Sequence, residues 1–194
     1  MANKVRFGLR NVKYAIYSNG TYGTPVAFPG AVNLNVTREG GDSSDFYADD
    51  GVYFTFAGTN GGYTLELEMA KVTDAIRVAL LGEVADSNGV QFEYSSNEPA
   101  EFALIFETQG DESPTAFTFY GCKASRIETS AQTKGESPEV DTDTMSIRAS
   151  GTDFTVGTGA DAEVKHAIQS HITKTTENAT TYASFFTAVA TPSA

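Results

Sequence analysis

The chain has 194 residues, 40% of them apolar, with one Cys, no Trp, 18 Gly and six Pro. A length of this order buries a core of its own, and a lone Cys122 leaves no internal disulfide to add stability. The formal charge of −12 excludes a conventional nucleic-acid-binding module, which holds phosphate through Lys and Arg that displace counterions.

The charge is uneven along the chain. Residues 1–38 carry Lys4, Arg6, Arg10, Lys13 and Arg38 with no acid, whereas residues 39–194 carry eight basic and 25 acidic residues. A basic front segment of this kind either folds back on its own acidic domain or docks on the acidic surface of another copy, and the two readings are compatible. No apolar run reaches the length of a membrane span or a signal peptide, so a soluble product made without an export signal is expected.

Period-two alternation, the mark of half-buried strands, begins at Val5, Phe7 and Leu9. It returns at residues 32–37, where Val32, Leu34 and Val36 are expected to face a core and Asn33, Asn35 and Thr37 to face away. Asp50-Gly51 reads as the turn of a hairpin over residues 44–57, carrying Phe46, Tyr47, Tyr53, Phe54 and Phe56 between glycine-rich flanks. Such an element reads as a projection whose rings either pack back on their own domain or, left exposed, mark an interface. The cleanest alternation is at residues 63–69, with Tyr63, Leu65, Leu67 and Met69 on one face and Thr64, Glu66 and Glu68 on the other. A helix is predicted over 71–81, with Val72, Ala75, Ile76, Ala79 and Leu80 on one side, Thr73 as its cap and Gly82 as its stop. Further strands are expected at 101–108, 115–121, 122–129, 144–149 and 164–172, and a short helix at 177–187. Asn19-Gly20, Asn60-Gly61 and Asn88-Gly89 mark other turns. No 20-to-50-residue repeat is present.

Motifs for chemistry are lacking. There is no phosphate-binding glycine signature, and GTGADAE at 157–163 reads as a loop. Cys122 lies in FTFYGCKAS, a strand context that favours a small buried hydrophobe over a nucleophile. His166 and His171 are five apart, a spacing that suits neither a strand face nor the helical geometry of a zinc pair. Asp141 and Asp143 lack the Gly and Glu that a calcium loop needs. No catalytic, cofactor-binding or metal-binding residue is therefore nominated, no cofactor is expected, and the chain is read as a non-enzyme.

The ordered series KVRFGLRNVKYA, PGAVNLNV, DFYADDGVYF, NGGYTLELEM, FALIFETQGDE, AFTFYGCKASR and ESPEVDTDTMSIRAS resembles the major tail tube protein of long-tailed, non-contractile bacteriophages, of the type common in phages of Gram-positive hosts. The resemblance spans essentially the whole chain. It implies a mainly β fold: a tail-tube-type β-sandwich with one flanking α-helix, whose inner sheet contributes four strands to a multi-subunit β-barrel. Residues 1–194 would form one tail tube domain, with an N-terminal arm at 1–20, a long projecting loop at 38–62 and a C-terminal arm at 173–194. Six copies would form a ring, and rings would stack into the hollow tube through which DNA is ejected. The implied partners are further copies of the chain, the tape-measure protein and phage DNA within the lumen, and the terminator and distal tail proteins at the ends. No membrane partner is implied. The location would be the virion tail, with assembly in the host cytoplasm.

On this reading the strand alternation nominates Asn33, Asn35, Thr37, Thr64, Glu66 and Glu68 as an acidic or neutral lumen lining along which DNA slides. The inter-subunit contacts would be Lys4, Arg6, Arg10, Lys13, Phe46, Tyr47, Tyr53, Phe54 and Phe56. The alternative is a monomeric ligand-binding β-sandwich, a carbohydrate-binding or adhesin-like module, and concentration-dependent assembly separates the two.

Overall fold

The computed structural model describes residues 3–129, 133, 140–157 and 162–192. The ends of both expected arms, the ESPE stretch of the family-like series and most of the 157–163 loop lie outside these residues. The described chain is mainly β and antiparallel. In chain order the strands are β1 (Arg6–Ser18), β2 (Thr21–Tyr22), β3 (Val26–Ala27), β4 (Ala31–Glu39), β5 (Ser44–Ala48), β6 (Gly51–Phe56) and β7 (Gly62–Met69). A short helix follows, α1 (Asp74–Ile76), running into a π-helical turn (Arg77–Leu81). After it come β8 (Val84–Ala85), β9 (Gln91–Phe92), β10 (Glu101–Gly110), β11 (Thr115–Ala124), β12 (Asp143–Ala149), β13 (Thr152–Val156), β14 (Glu163–Ala167), β15 (Gln169–Thr173) and helix α2 (Ala179–Ser184).

The main sheet runs β2-β1-β10-β11-β12-β7-β4, with β15 also on β11 and β3 also on β1. The alternating apolar residues of its distant parts meet in one core: Leu65, Leu67 and Met69 from β7, Met145 and Ile147 from β12, Phe102, Leu104 and Phe106 from β10, and Val12 and Tyr14 from β1. One sheet can bring both of its ends to a single core only by curling over on itself, which twist and bulges allow. The helical turn closes this core with Ile76, Leu80 and Leu81.

The helix predicted over 71–81 is shorter than its pattern. It starts at Asp74 after Thr73, whose side chain makes no capping bond, and it ends in the π turn with Gly82 at φ 72°. Val72 precedes it, buried, with its N–H donated to Asp143 Oδ2 at 2.8 Å.

Three other expectations change in detail. The strands read separately at 115–121 and 122–129 are one strand, β11, bent at Gly121. There φ is +58° and an added Cβ would lie 2.1 Å from the Gly151 carbonyl oxygen. The bend lets β11 pair with β15 over its first half and with β12 over its last three residues. The 164–172 strand is two, β14 on β13 and β15 on β11, so His166 and His171 belong to different pairings. The turn at the tip of the aromatic hairpin is Asp49-Asp50, both at positive φ (52° and 60°) between the paired Ala48 and Gly51.

The outer face of β10 and β11 is also covered. Tyr182 and Phe185 of the α2 segment pack with Ala116, Ile172, Phe186 and Ala190 in a second cluster. β10 is buried throughout from Phe102 to Glu107.

Candidate functional site

The expected lining residues fall into cross-strand register. β4 and β7 pair Asn33 with Glu68, Asn35 with Glu66 and Thr37 with Thr64. β12 extends each row, placing Thr144 beside Glu68, Ser146 beside Glu66 and Arg148 beside Thr64. Lys123 of β11 then pairs with Arg148. Residues directly opposite on one face of an antiparallel pair lie about 5 Å apart, so these side chains form a continuous polar sheet face. Their neighbours in sequence, Leu65, Leu67, Met145 and Ile147, are fully buried on the other side.

The face is polar but not uniformly acidic. Glu66 and Glu68 occupy two rows, while Arg148 and Lys123 occupy the third. Glu68 Oε1 accepts from the Thr142 hydroxyl at 2.8 Å, and Arg148 Nη2 donates to the Gly61 carbonyl at 3.0 Å. Thr144, Ser146, Arg148 and Lys123 were not nominated from sequence. The signal was available in TMSIRA, whose polar positions alternate with Met145, Ile147 and Ala149.

β4 is the outer strand of this face. Among the described residues it pairs with β7 alone, so one edge over Ala31–Glu39 has no strand partner. At about 3.3 Å per residue that is roughly 30 Å of unpaired backbone. Val32 and Val36, expected in the core, are 54% and 41% exposed, and only Leu34 packs against it. A register shift between Ala31 and Asn33 contributes to this. Long apolar edge strands recruit further strands unless they are covered.

Beyond Glu39 and Gly62 the same pair of strands continues as the β5-β6 hairpin, joined at its base by Gly61 N–H to the Glu39 carbonyl and Thr59 N–H to the Gly41 carbonyl. A Cβ at Gly40 would lie 1.9 Å from the Thr59 oxygen, so this crossing requires glycine. Phe46, Tyr47, Tyr53, Phe54 and Phe56 are all more than half exposed. Their ring contacts stay within the hairpin, Phe46 on Tyr53 and Phe54 on Phe56.

Three basic residues of the first segment, Arg6, Arg10 and Lys13, contact their own chain. Residues 6–18, expected within an arm, form a strand on β10, with bulges at Gly8 and Asn11 that break its register. Arg10 is ion-paired with Glu107, which is 2% exposed and also accepts from Asn11 Nδ2 at 2.9 Å. Burial pushes the Tyr182 phenol up, and the charge of the Glu107 carboxylate beside it adds to the shift. Lys13 Nζ donates to the Phe186 carbonyl at 2.8 Å. The Arg6 guanidinium lies 5.9 Å from the Phe117 ring centre. The main-chain N–H of Lys4 donates to Asp111 Oδ1 at 2.9 Å, and this bond with that of Val5 holds the Asp111 carboxyl below its ordinary range.

Cys122 is fully buried, and desolvation pushes its thiol up to about 12, so it stays neutral at physiological pH. His166 presents Nδ1 to Asp153 Oδ1 at 2.6 Å and Nε2 to the Ser150 carbonyl at 2.8 Å, and both contacts raise its pKa. His171 stacks on Phe117 with ring centres 5.8 Å apart. Among the described residues no group of three or more His, Cys, Asp or Glu is placed to hold a metal ion.

No family model matches the chain, and no curated protein matches it in sequence. Several solved chains resemble it in shape, two of them from the anti-feeding prophage. One is a chain of the tube-terminating cap of the anti-feeding prophage, with 10% identity, coverage of 90% of this chain and 95% of that one, and a TM-score of 0.45. The other is a chain of the baseplate of the anti-feeding prophage, with 12% identity, coverage of 89% and 96%, and a TM-score of 0.43. Likeness of that size assigns neither a family nor a role.

Proposed function

We propose that this chain is a structural, non-catalytic subunit that completes its sheet with copies of itself and builds a hollow tail tube for DNA passage. The observation that carries the reading is the polar face of β4, β7 and β12, bounded by a strand edge that has no strand partner among the described residues. Pairing β4 with a strand of a neighbouring copy removes the exposed edge. Repeated around an axis, that pairing closes a barrel wall whose concave side is polar. The sequence resemblance adds the finer terms: rings of six, stacked along an axis, with tape-measure protein and DNA inside and the terminator and distal tail proteins at the ends, all within the virion.

Glu66 and Glu68 suit such a lumen because carboxylates repel phosphate and leave DNA free to slide. Arg148 and Lys123 then stand as a separate basic row rather than a continuous basic track. Negative-stain electron microscopy of the concentrated protein tests the reading. Rings or tubes are expected, whereas single particles at every concentration that bind a glycan array identify the monomeric ligand-binding module instead. In assembled particles, Glu66→Lys with Glu68→Lys is expected to leave tube formation intact and to reduce DNA delivery. Unchanged delivery contradicts the acidic contribution to the lining.

A further inference from the structure

β2 with its flanking turn, β13 and the residues after α2 enclose a pocket of about 320 Å³, at the end of the strand order opposite β4. That volume is near the lower end of the range of about 300–1,000 Å³ usual for small-molecule sites. One wall is aromatic: the rings of Tyr22 and Phe154 have centres 6.4 Å apart and planes inclined by 31°, so they stand side by side. The polar side chains around it are the threonines Thr21, Thr24, Thr187 and Thr191. No charged side chain is among the described lining residues, although 20% of the chain is charged.

Internal hydrogen bonds hold the walls. The Tyr22 hydroxyl shares a hydrogen bond of 2.5 Å with that of Thr152 and accepts from the Gly121 N–H at 3.0 Å. Burial pushes this phenol up to about 12, so the wall stays neutral at physiological pH. Tyr120 ties the other walls to it: its ring meets Phe154 edge-on at 5.2 Å, and its hydroxyl donates to the Ala190 carbonyl at 2.6 Å. The aromatic faces are thus fixed before any ligand arrives, which lowers the ordering cost of binding. Thr21 and Thr187 donate to the Ser18 and Ser184 carbonyls at 3.3 and 3.2 Å, which leaves their oxygens as acceptors. Thr24 and Thr191 are exposed, and their hydroxyls can donate or accept.

This lining selects a class of ligand by its chemistry. An ion finds no counter-charge here, and a wholly apolar molecule would cover hydroxyls without replacing their bonds to water. A ring with a C–H face and a rim of hydroxyls suits both parts, because the negative face of an aromatic ring attracts polarised C–H groups. We propose that the pocket binds a neutral sugar ring, its C–H face against Tyr22 and Phe154 and its hydroxyls against the threonines.

NMR titration of the dilute full-length chain tests it, with methyl glucoside, methyl galactoside and N-acetylglucosamine as probes. At least one neutral sugar is expected to shift the amides of Tyr22, Thr24, Phe154 and Val189 saturably, with a Kd of about 1–20 mM. Phe154→Ala is expected to weaken that binding by about ten-fold. Thr24→Val with Thr191→Val, at two exposed positions, is expected to weaken it by about three-fold and keeps the test valid if Phe154→Ala fails to fold. Absence of a saturable shift at these amides by about 100 mM of every probe overturns the inference. So does tighter binding of glucuronate, glucosamine or cyclohexanol than of every neutral sugar. Maltotriose, added where methyl glucoside binds, separates the sources: equal affinity marks a ring at the end of a glycan, lost affinity a free sugar, and both support the pocket. The inference does not rest on self-assembly. Tubes from a chain that binds no sugar leave the tube reading standing and this pocket wrong. Sugar binding by a chain that never assembles supports the pocket and contradicts the tube reading.

Discussion

β10 and β4 are nearly equal in length, ten and nine residues, but their surroundings differ on every side. β10 is paired on both edges, by β1 and β11, and its consecutive residues Phe102 to Ile105 are fully buried, so both of its faces are covered. Even its one buried acid, Glu107, is matched within the chain by Arg10 and Asn11. Among the described residues, β4 has one paired edge, exposed valines, and a hairpin beyond it whose ring contacts are within the hairpin. Burial and pairing are therefore concentrated around β10, while among the described residues the β4 region keeps an unpaired edge and exposed apolar surface.

The sharpest test of that division compares truncations in the two regions by urea unfolding of dilute protein. Leu104→Ala removes a fully buried side chain and is expected to cost about 2–5 kcal/mol. Phe54→Ala, on the exposed hairpin, is expected to change dilute stability by less than about 0.5 kcal/mol while weakening association. Equal costs place the hairpin inside the folding unit and remove the contrast.

A smaller effect is expected at the ion pair. Arg10→Met leaves the buried Glu107 carboxylate with Asn11 as its side-chain hydrogen-bond donor. With Arg10 itself half exposed, the loss is expected near 1–3 kcal/mol. No loss in urea unfolding means that Arg10 is available for a neighbouring subunit instead.

At the hairpin tip, Asp49→Asn with Asp50→Gly supplies residues better suited to two positive φ angles. It is expected to order the hairpin by roughly 0.5–1 kcal/mol, read as larger β-strand chemical shifts by NMR, with no change around β10.

The smallest effect concerns pH. His166 has an acceptor oxygen at each ring nitrogen, so only the imidazolium can donate to both. Its pKa is raised on folding, so its stabilisation of the β13-β14 pair is fully present below the unfolded value of about 6.5. That stabilisation is lost as pH rises through the folded value. An NMR titration of His166 is expected to give a midpoint above that of His166 in urea. A midpoint at or below it removes the double contact.

The alternation of residues 63–69 made β7 and its polar face readable, because a strand covered on one side by a core writes its two faces as two residue types. The same pattern at 32–37 misled for Val32 and Val36, since alternation separates faces without saying what covers them. Gly121 could not be read as a bend within one strand, because its partner change from β15 to β12 depends on residues some 30–50 positions away. Glu107 within EFALIFET gave no sign that Arg10 would be its partner, nor could spacing reveal a pocket built from β2, β13 and the residues after α2. The projecting hairpin was visible through its turn and glycine flanks, although the turn fell one residue earlier than Asp50-Gly51.

Amide hydrogen exchange along β4 addresses the self-completing sheet most directly, measured on dilute and on concentrated protein. The outward-pointing amides of Val32 to Thr37, every second one, are expected to exchange fast on the unpaired edge when dilute and to slow at least ten-fold when concentrated, while those bonded to β7 and the amides of β10 stay protected throughout. Exchange in β4 that is the same at every concentration contradicts the proposal that its open edge is where copies join.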